Sequence, residues 1–211
     1  MITEINVFKE YHFIAPTTTV VEVESWISSL DTADPTTIMV PPLLVKRTKA
    51  AVADKQIGVA TIIGFPSGFN AIESKLSDII LAMVDGAAEM LVALNMTALK
   101  NGDWQYLAKE LSMLVQVVKA KERKLSIAVN AALLTTDEIV KCCDLYGVAG
   151  IDSFTINTND AEDLLSIELI QFFRQHLAEA VKLRIFTNSN YDVKSLSNAG
   201  IGLLACKAPV K

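Results

Sequence analysis

Asparagines and threonines recur at one kind of place in this sequence. Asn95, Asn130, Thr155, Asn157, Thr187 and Asn188 each close or follow a short run of aliphatic and β-branched residues. If those runs are parallel strands of an α/β barrel, such residues stand at the C-terminal strand ends, where barrels place their ligands. Amides and hydroxyls there could line a pocket for a neutral ligand. The same residue types also cap helices and close Asx turns. For each of them both uses stay open.

Other chemistries have thinner support. Cys142, Cys143 and Cys206 are odd in number and include an adjacent pair, so they imply no disulfide framework. His12 and His176 are the two histidines, too few for a zinc site. No metal and no cofactor is expected. The net charge of −5 and pI near 5.1 leave no basic surface for nucleic acid. The run KAKERK at 119–124 is expected to be a solvated helix end. Charges interrupt each long apolar run, and the first ten residues include acids and lack a long apolar stretch. A cytoplasmic protein without membrane contact is expected.

The elements that would position these residues alternate regularly. Strand candidates lie at residues 11–15, 37–40, 58–63, 89–94, 125–129, 150–156, 183–187 and 202–205. Amphipathic helices separate them. One covers residues 74–84, with Ile79, Ile80, Met83 and Val84 expected on the core face; another covers 107–121, with Leu111, Leu114, Val115 and Val118 as its stripe. Thr135 followed by Asp137 and Glu138 predicts a capped helix start, and Asn159-Asp160 a second. Short connections between strands and helices imply parallel strands with right-handed crossovers. About eight such units in 211 residues fit a small (β/α)8 barrel, α/β in class, spanning residues 1–211 as one domain.

Specific motifs narrow this further. Residues 59–70 read VATIIGFPSGFN and continue to Glu73 and Lys75. Residues 94–103 read LNMTALKNGD, residues 133–139 read LLTTDEI, and Tyr11-His12 precedes Ala15-Pro16. This set resembles the deoxyribose-phosphate aldolase family, whose patterns are roughly VATVIGFPxGxNxxExK, ALKSGD, LLTDEEI and DHTLLKP. The correspondence is broad between Ile57 and Thr158. The resemblance implies the same barrel.

It also implies a chemistry to be checked residue by residue. The family cleaves 2-deoxyribose 5-phosphate through an imine formed by a lysine amine, with a second lysine lowering the first one's pKa and an aspartate moving protons. In the run 151–160 the nucleophile's position is Thr155, and an alcohol cannot form an imine. The aspartate corresponds to Leu91. A strand lysine corresponds to Ser126, and that strand's glutamate to Asn130. The second lysine corresponds to Arg184, or to Lys182 if no deletion follows it. The glycine-rich phosphate turns are replaced by Thr187-Asn188 and by Ala205-Cys206-Lys207-Ala208, where Arg184 and Lys207 could still attract an anion. The last barrel helix is expected to be short or absent.

The expectation is therefore an aldolase-like barrel without Schiff-base activity, with a structural, regulatory or ligand-binding role. Its ligand would be small and sugar-like or phosphorylated, held by Asn95, Asn130, Thr155, Asn157, Arg184, Asn188 and Lys207. Two alternatives stand beside it: altered chemistry in an Asn/Thr-lined mouth, or retained aldolase activity through a relocated lysine such as Lys182. By analogy with the family, a homodimer is expected.

Overall fold

A computed structural model describes residues 8–30, 37–157, 165–187 and 193–208. Eight parallel strands close into a barrel in chain order, β1 pairing with β8. They are β1 (Phe8–His12), β2 (Thr37–Val40), β3 (Gly58–Ile63), β4 (Glu89–Ala93), β5 (Lys124–Asn130), β6 (Ser153–Asn157), β7 (Lys182–Thr187) and β8 (Leu203–Lys207). The helices outside them are α1 (Val20–Ser28), α2 (Val45–Ala51), α3 (Ile72–Val84), α4 (Met96–Lys100), α5 (Trp104–Lys119), α6 (Thr136–Gly147), α7 (Ile167–His176) and α8 (Val193–Asn198). This is the (β/α)8 barrel that strand–helix alternation predicts.

Because strand side chains alternate, each strand feeds two cores. The outward set, including Ile38, Val59, Met90, Ile127, Phe154 and Ile185, packs under the helices. The inward set at mid-barrel is small: Met39, Ala60, Ile62, Leu91 and Ala128, with Ile14, Phe65 and Phe186 against it. Polar inward residues lie below and above this apolar layer.

Several boundaries follow local rules. Thr135 accepts from the Glu138 amide while Glu138 reaches back to the Thr135 amide, so the predicted capping box starts α6. Leu111, Leu114 and Val118 are buried on α5, whereas Val115 is half-buried. The core face of α3 differs from the expectation. Ile72, Lys75, Ile79 and Ala82 are buried, while Ile80 and Val84 are exposed. Lys75 rotates the helix toward the core because its ammonium meets Glu110 at 2.8 Å and the Ala93 carbonyl at 2.9 Å. β1 lies earlier than residues 11–15, since residues 13 onward already form the turn into α1. Asn159-Asp160 lies outside the described residues; within them Ser166 caps α7.

The GFPSG motif is a loop folded onto β4. Gly68 has φ +67°, and a Cβ there would lie 2.3 Å from the Leu94 carbonyl oxygen. The Met96 amide donates to the Ser67 carbonyl at 3.1 Å, fixing the loop to the start of α4. Motif residues thus hold the rim of the barrel in place.

Candidate active site at the barrel mouth

Three inward layers stack along the barrel axis. The floor is charged. Arg184, fully buried on β7, lies 2.8 Å from Glu10 of β1 and 2.6 Å from Glu89 of β4. Ser126 of β5 donates to Glu89 and shares a second hydrogen bond with Ser153 of β6. Burial pushes the Glu10 carboxyl above its ordinary value, Arg184 pulls it back, and the neighbouring Glu89 raises it again. The two carboxylates keep Arg184 firmly protonated despite the burial.

This floor corrects one expectation. Arg184 was expected to attract an anionic ligand at the mouth. Its guanidinium instead turns to Glu10 and Glu89, which already supply the opposing charge. Ser126 belongs to the same network and meets carboxylate, not ligand. Lys182 is likewise corrected as a substitute nucleophile: it is exposed and opens β7, at the N-terminal end of the strands. A side chain there is a strand's length from the mouth.

The middle layer is apolar, with Leu91 and Met39 wholly buried and Phe186 half-exposed above them. Thr155 sits beside it, between Ala128 and Arg184 in strand register. It is fully buried, and its Oγ1 meets no hydrogen-bond partner within the protein.

The upper layer is the mouth. Asn95, Asn130, Asn157, His12 and Lys207 stand at strand ends on the inward parity. Asn95 accepts from the Ala98 amide at 3.0 Å and also hydrogen-bonds Tyr106. Asn130 accepts from the Ala132 amide at 3.1 Å. Both side-chain carbonyls therefore act as caps, one of the two uses anticipated for them. Asn157 differs, because its Oδ1 is shielded and unpartnered. Lys207 ends β8, exposed, beside His12 on β1. The side chain of Thr187 and all of Asn188 lie outside the described residues.

His12 is the mouth residue that strand-end polarity missed. It is buried against the Phe186 ring, with centroids 5.0 Å apart. Burial, with a smaller push from Lys207, lowers its pKa to about 4, so the imidazole is neutral at pH 7. Its inward parity with Glu10 was the available signal. Away from the barrel interior, burial pushes Cys142 and Cys143 up to about 12, which leaves them inert thiols under the helices. Among the described residues, no three His, Cys, Asp or Glu side chains group as metal ligands, and no helix is long and apolar enough to cross a membrane.

Known proteins resemble this chain in sequence and in fold. No family model matches it. Deoxyribose-phosphate aldolase of Thermoanaerobacter pseudethanolicus is 29% identical over 205 residues, covering 96% of this chain and 92% of the relative. That of Thermococcus gammatolerans is 31% identical over 140 residues, 65% of this chain and 62% of the relative. Among solved structures, an aldolase called QR15 superposes with TM-score 0.83 at 21% identity, covering 99% of this chain and 93% of its own. The tetrameric deoxyribose phosphate aldolase of Aeropyrum pernix gives TM-score 0.81 at 17% identity, covering 93% and 84%. The structural matches show the shared barrel. With relatives matched along nearly their whole length carrying one name, and GFPSG and ALKNGD in place on that barrel, the chain is deoxyribose-phosphate aldolase-like.

Proposed function

We propose that this barrel does not run imine-forming aldol chemistry and instead binds a small sugar-like or phosphorylated molecule at its mouth. The observation that carries this reading is Thr155: a buried alcohol on β6 at the position that corresponds to the family's nucleophilic lysine. An alcohol adds to a carbonyl but cannot lose water to give an iminium, so it supplies no electron sink for C–C cleavage. Leu91, at the aspartate's position, is enclosed in the apolar layer and moves no proton. Asn130, at the glutamate's position, serves as a cap.

Ligand binding is favoured over a purely structural role by the unpartnered Asn157 Oδ1 and Thr155 Oγ1, since buried polar atoms are ordinarily satisfied. Lys207 would attract an anionic group from the rim. The chain is further proposed to be cytoplasmic and to pair as a homodimer, which sedimentation would measure.

The test is direct. The purified chain is incubated with 2-deoxyribose 5-phosphate and assayed for acetaldehyde, and in parallel treated with acetaldehyde and borohydride. No cleavage and no N-ethyl-lysine in the mass spectrum are expected. Cleavage that disappears when one lysine is substituted would overturn the proposal. An adduct on Lys207 would favour altered chemistry at the mouth, because Lys207 is the one lysine among the described strand residues at a C-terminal end.

A further inference from the structure

His12 has a feature that its place in the fold leaves unexplained. It is 8% exposed, yet its Nε2 is wholly shielded and meets no hydrogen-bond partner in the protein. A buried ring nitrogen of this kind normally finds a backbone or side-chain partner. The imidazole is also fixed in place: Phe186 of β7 packs on it at 5.0 Å, and Met39 is its register partner on β2.

It is not alone. Asn157 Oδ1 and Thr155 Oγ1 are shielded and unpartnered on the same inner surface, at or just below the mouth. Three unpartnered polar atoms on inward strand positions in the upper part of one barrel point to a polar ligand there. The groups differ in what they can do. A threonine hydroxyl donates and accepts, an amide oxygen accepts, and a neutral imidazole accepts at one nitrogen.

We propose that His12 is a specificity-determining hydrogen-bond acceptor of the mouth, taking a hydroxyl of a polyhydroxylated ligand at its shielded Nε2. The inference rests on the ligand-binding reading above and adds the group that selects the ligand. Lys207, next to His12 across the seam where the barrel closes, supports it, since a nearby cation together with burial keeps the ring uncharged and able to accept. Met39 and Phe186, on the flanking elements, bring no charge to it. A ligand hydroxyl donating to Nε2 satisfies the ring, and Asn157 and Thr155 stand three strands away around the barrel, on β6, to take others.

The experiment uses the wild-type chain and ribose, ribose 5-phosphate and inorganic phosphate as probes. The protein has two histidines, so its imidazole spectrum carries two ring systems, and His176→Gln assigns them. Ribose and ribose 5-phosphate are expected to shift the His12 ring signals, and inorganic phosphate alone to leave them in place. His12→Phe, which keeps an aromatic ring against Phe186, is expected to weaken both sugars about tenfold, the effect of losing one buried hydrogen bond. His12→Gln, whose amide oxygen still accepts, is expected to recover part of that loss. Sugar binding that leaves the His12 signals unmoved overturns the inference and spares the ligand-binding reading. If neither sugar binds, that reading falls, and the inference with it. The wild-type spectrum decides even if His12→Phe does not fold.

Discussion

Arg184 Nη2 lies 2.6 Å from Glu89 Oε1, and the same oxygen accepts the Ser126 hydroxyl. One guanidinium thus closes the barrel floor by facing carboxylates from two other strands, β1 and β4. The arrangement explains why an arginine is tolerated at full burial. Its charge is compensated in place, and Ser126, itself hydrogen-bonded to Ser153, adds a hydrogen bond to the same Glu89 oxygen.

Removing that arginine leaves two carboxylates buried without a cation. Arg184→Met is expected to destabilise the chain by about 3–5 kcal/mol. Urea unfolding monitored by fluorescence checks it. A loss below about 1 kcal/mol would mean that the floor is hydrated and the pair screened.

Two glycines with the same backbone angle separate strain from collision. Gly68 and Gly102 both have φ +67°, but a Cβ on Gly68 meets the Leu94 carbonyl at 2.3 Å, while on Gly102 the nearest group is Trp104 at 4.0 Å. Gly102→Ala is expected to cost about 1 kcal/mol, the strain alone. Gly68→Ala should cost at least about twice as much, because β4 or the loop must move. Equal melting-temperature losses for the two variants would contradict the clamp.

His12 makes stability depend on pH with a definite sign. Its folded pKa, about 4, lies below the ordinary 6.5, so the unfolded chain binds the proton more tightly. The contribution is fully present above pH 6.5 and is lost as pH falls toward 4. Its size is about 3 kcal/mol. The unfolding free energy of wild type minus that of His12→Phe should fall by that order between pH 7 and 4. Lys207→Ala should raise the His12 pKa only slightly, because burial is the larger cause.

Thr155→Val removes a hydroxyl that meets no protein partner while keeping the side chain's shape. Stability is expected to stay level or to rise by up to about 1 kcal/mol. Sugar binding at the mouth should weaken in the same variant. A fall in stability above about 1 kcal/mol, seen in chemical unfolding, would instead give Thr155 a structural partner.

The barrel itself was legible because its signal is distributed. Strand and helix periods recur along the chain, and errors of a few residues at β1 or α3 leave the architecture intact. The mouth was legible in part. Strand-end position pointed to Asn157, and to Asn95 and Asn130 without deciding between cap and ligand, while Lys207 came from the family's phosphate-turn correspondence. That choice depends on whether a following amide turns back onto the side chain, which only three-dimensional geometry settles. Arg184 was misplaced for a related reason. Its correspondence with a functional lysine gave the strand position, but Glu10 and Glu89, far away in sequence, determine where the guanidinium points. Their signal was charge at inward positions within otherwise apolar strands. His12 was overlooked because a single histidine says little until its parity and its neighbours are known.

The clamp on β4 bears on how such barrels diverge. Gly68 fits against the Leu94 carbonyl, and Lys75 holds the Ala93 carbonyl and Glu110. The most recognisable letters of the sequence are thus committed to scaffolding outside the interior. Selection for a folded barrel alone would preserve them, even while the residues facing the cavity drift toward another task. In this chain the motif therefore reports on architecture, and the reaction has to be inferred from the interior wall.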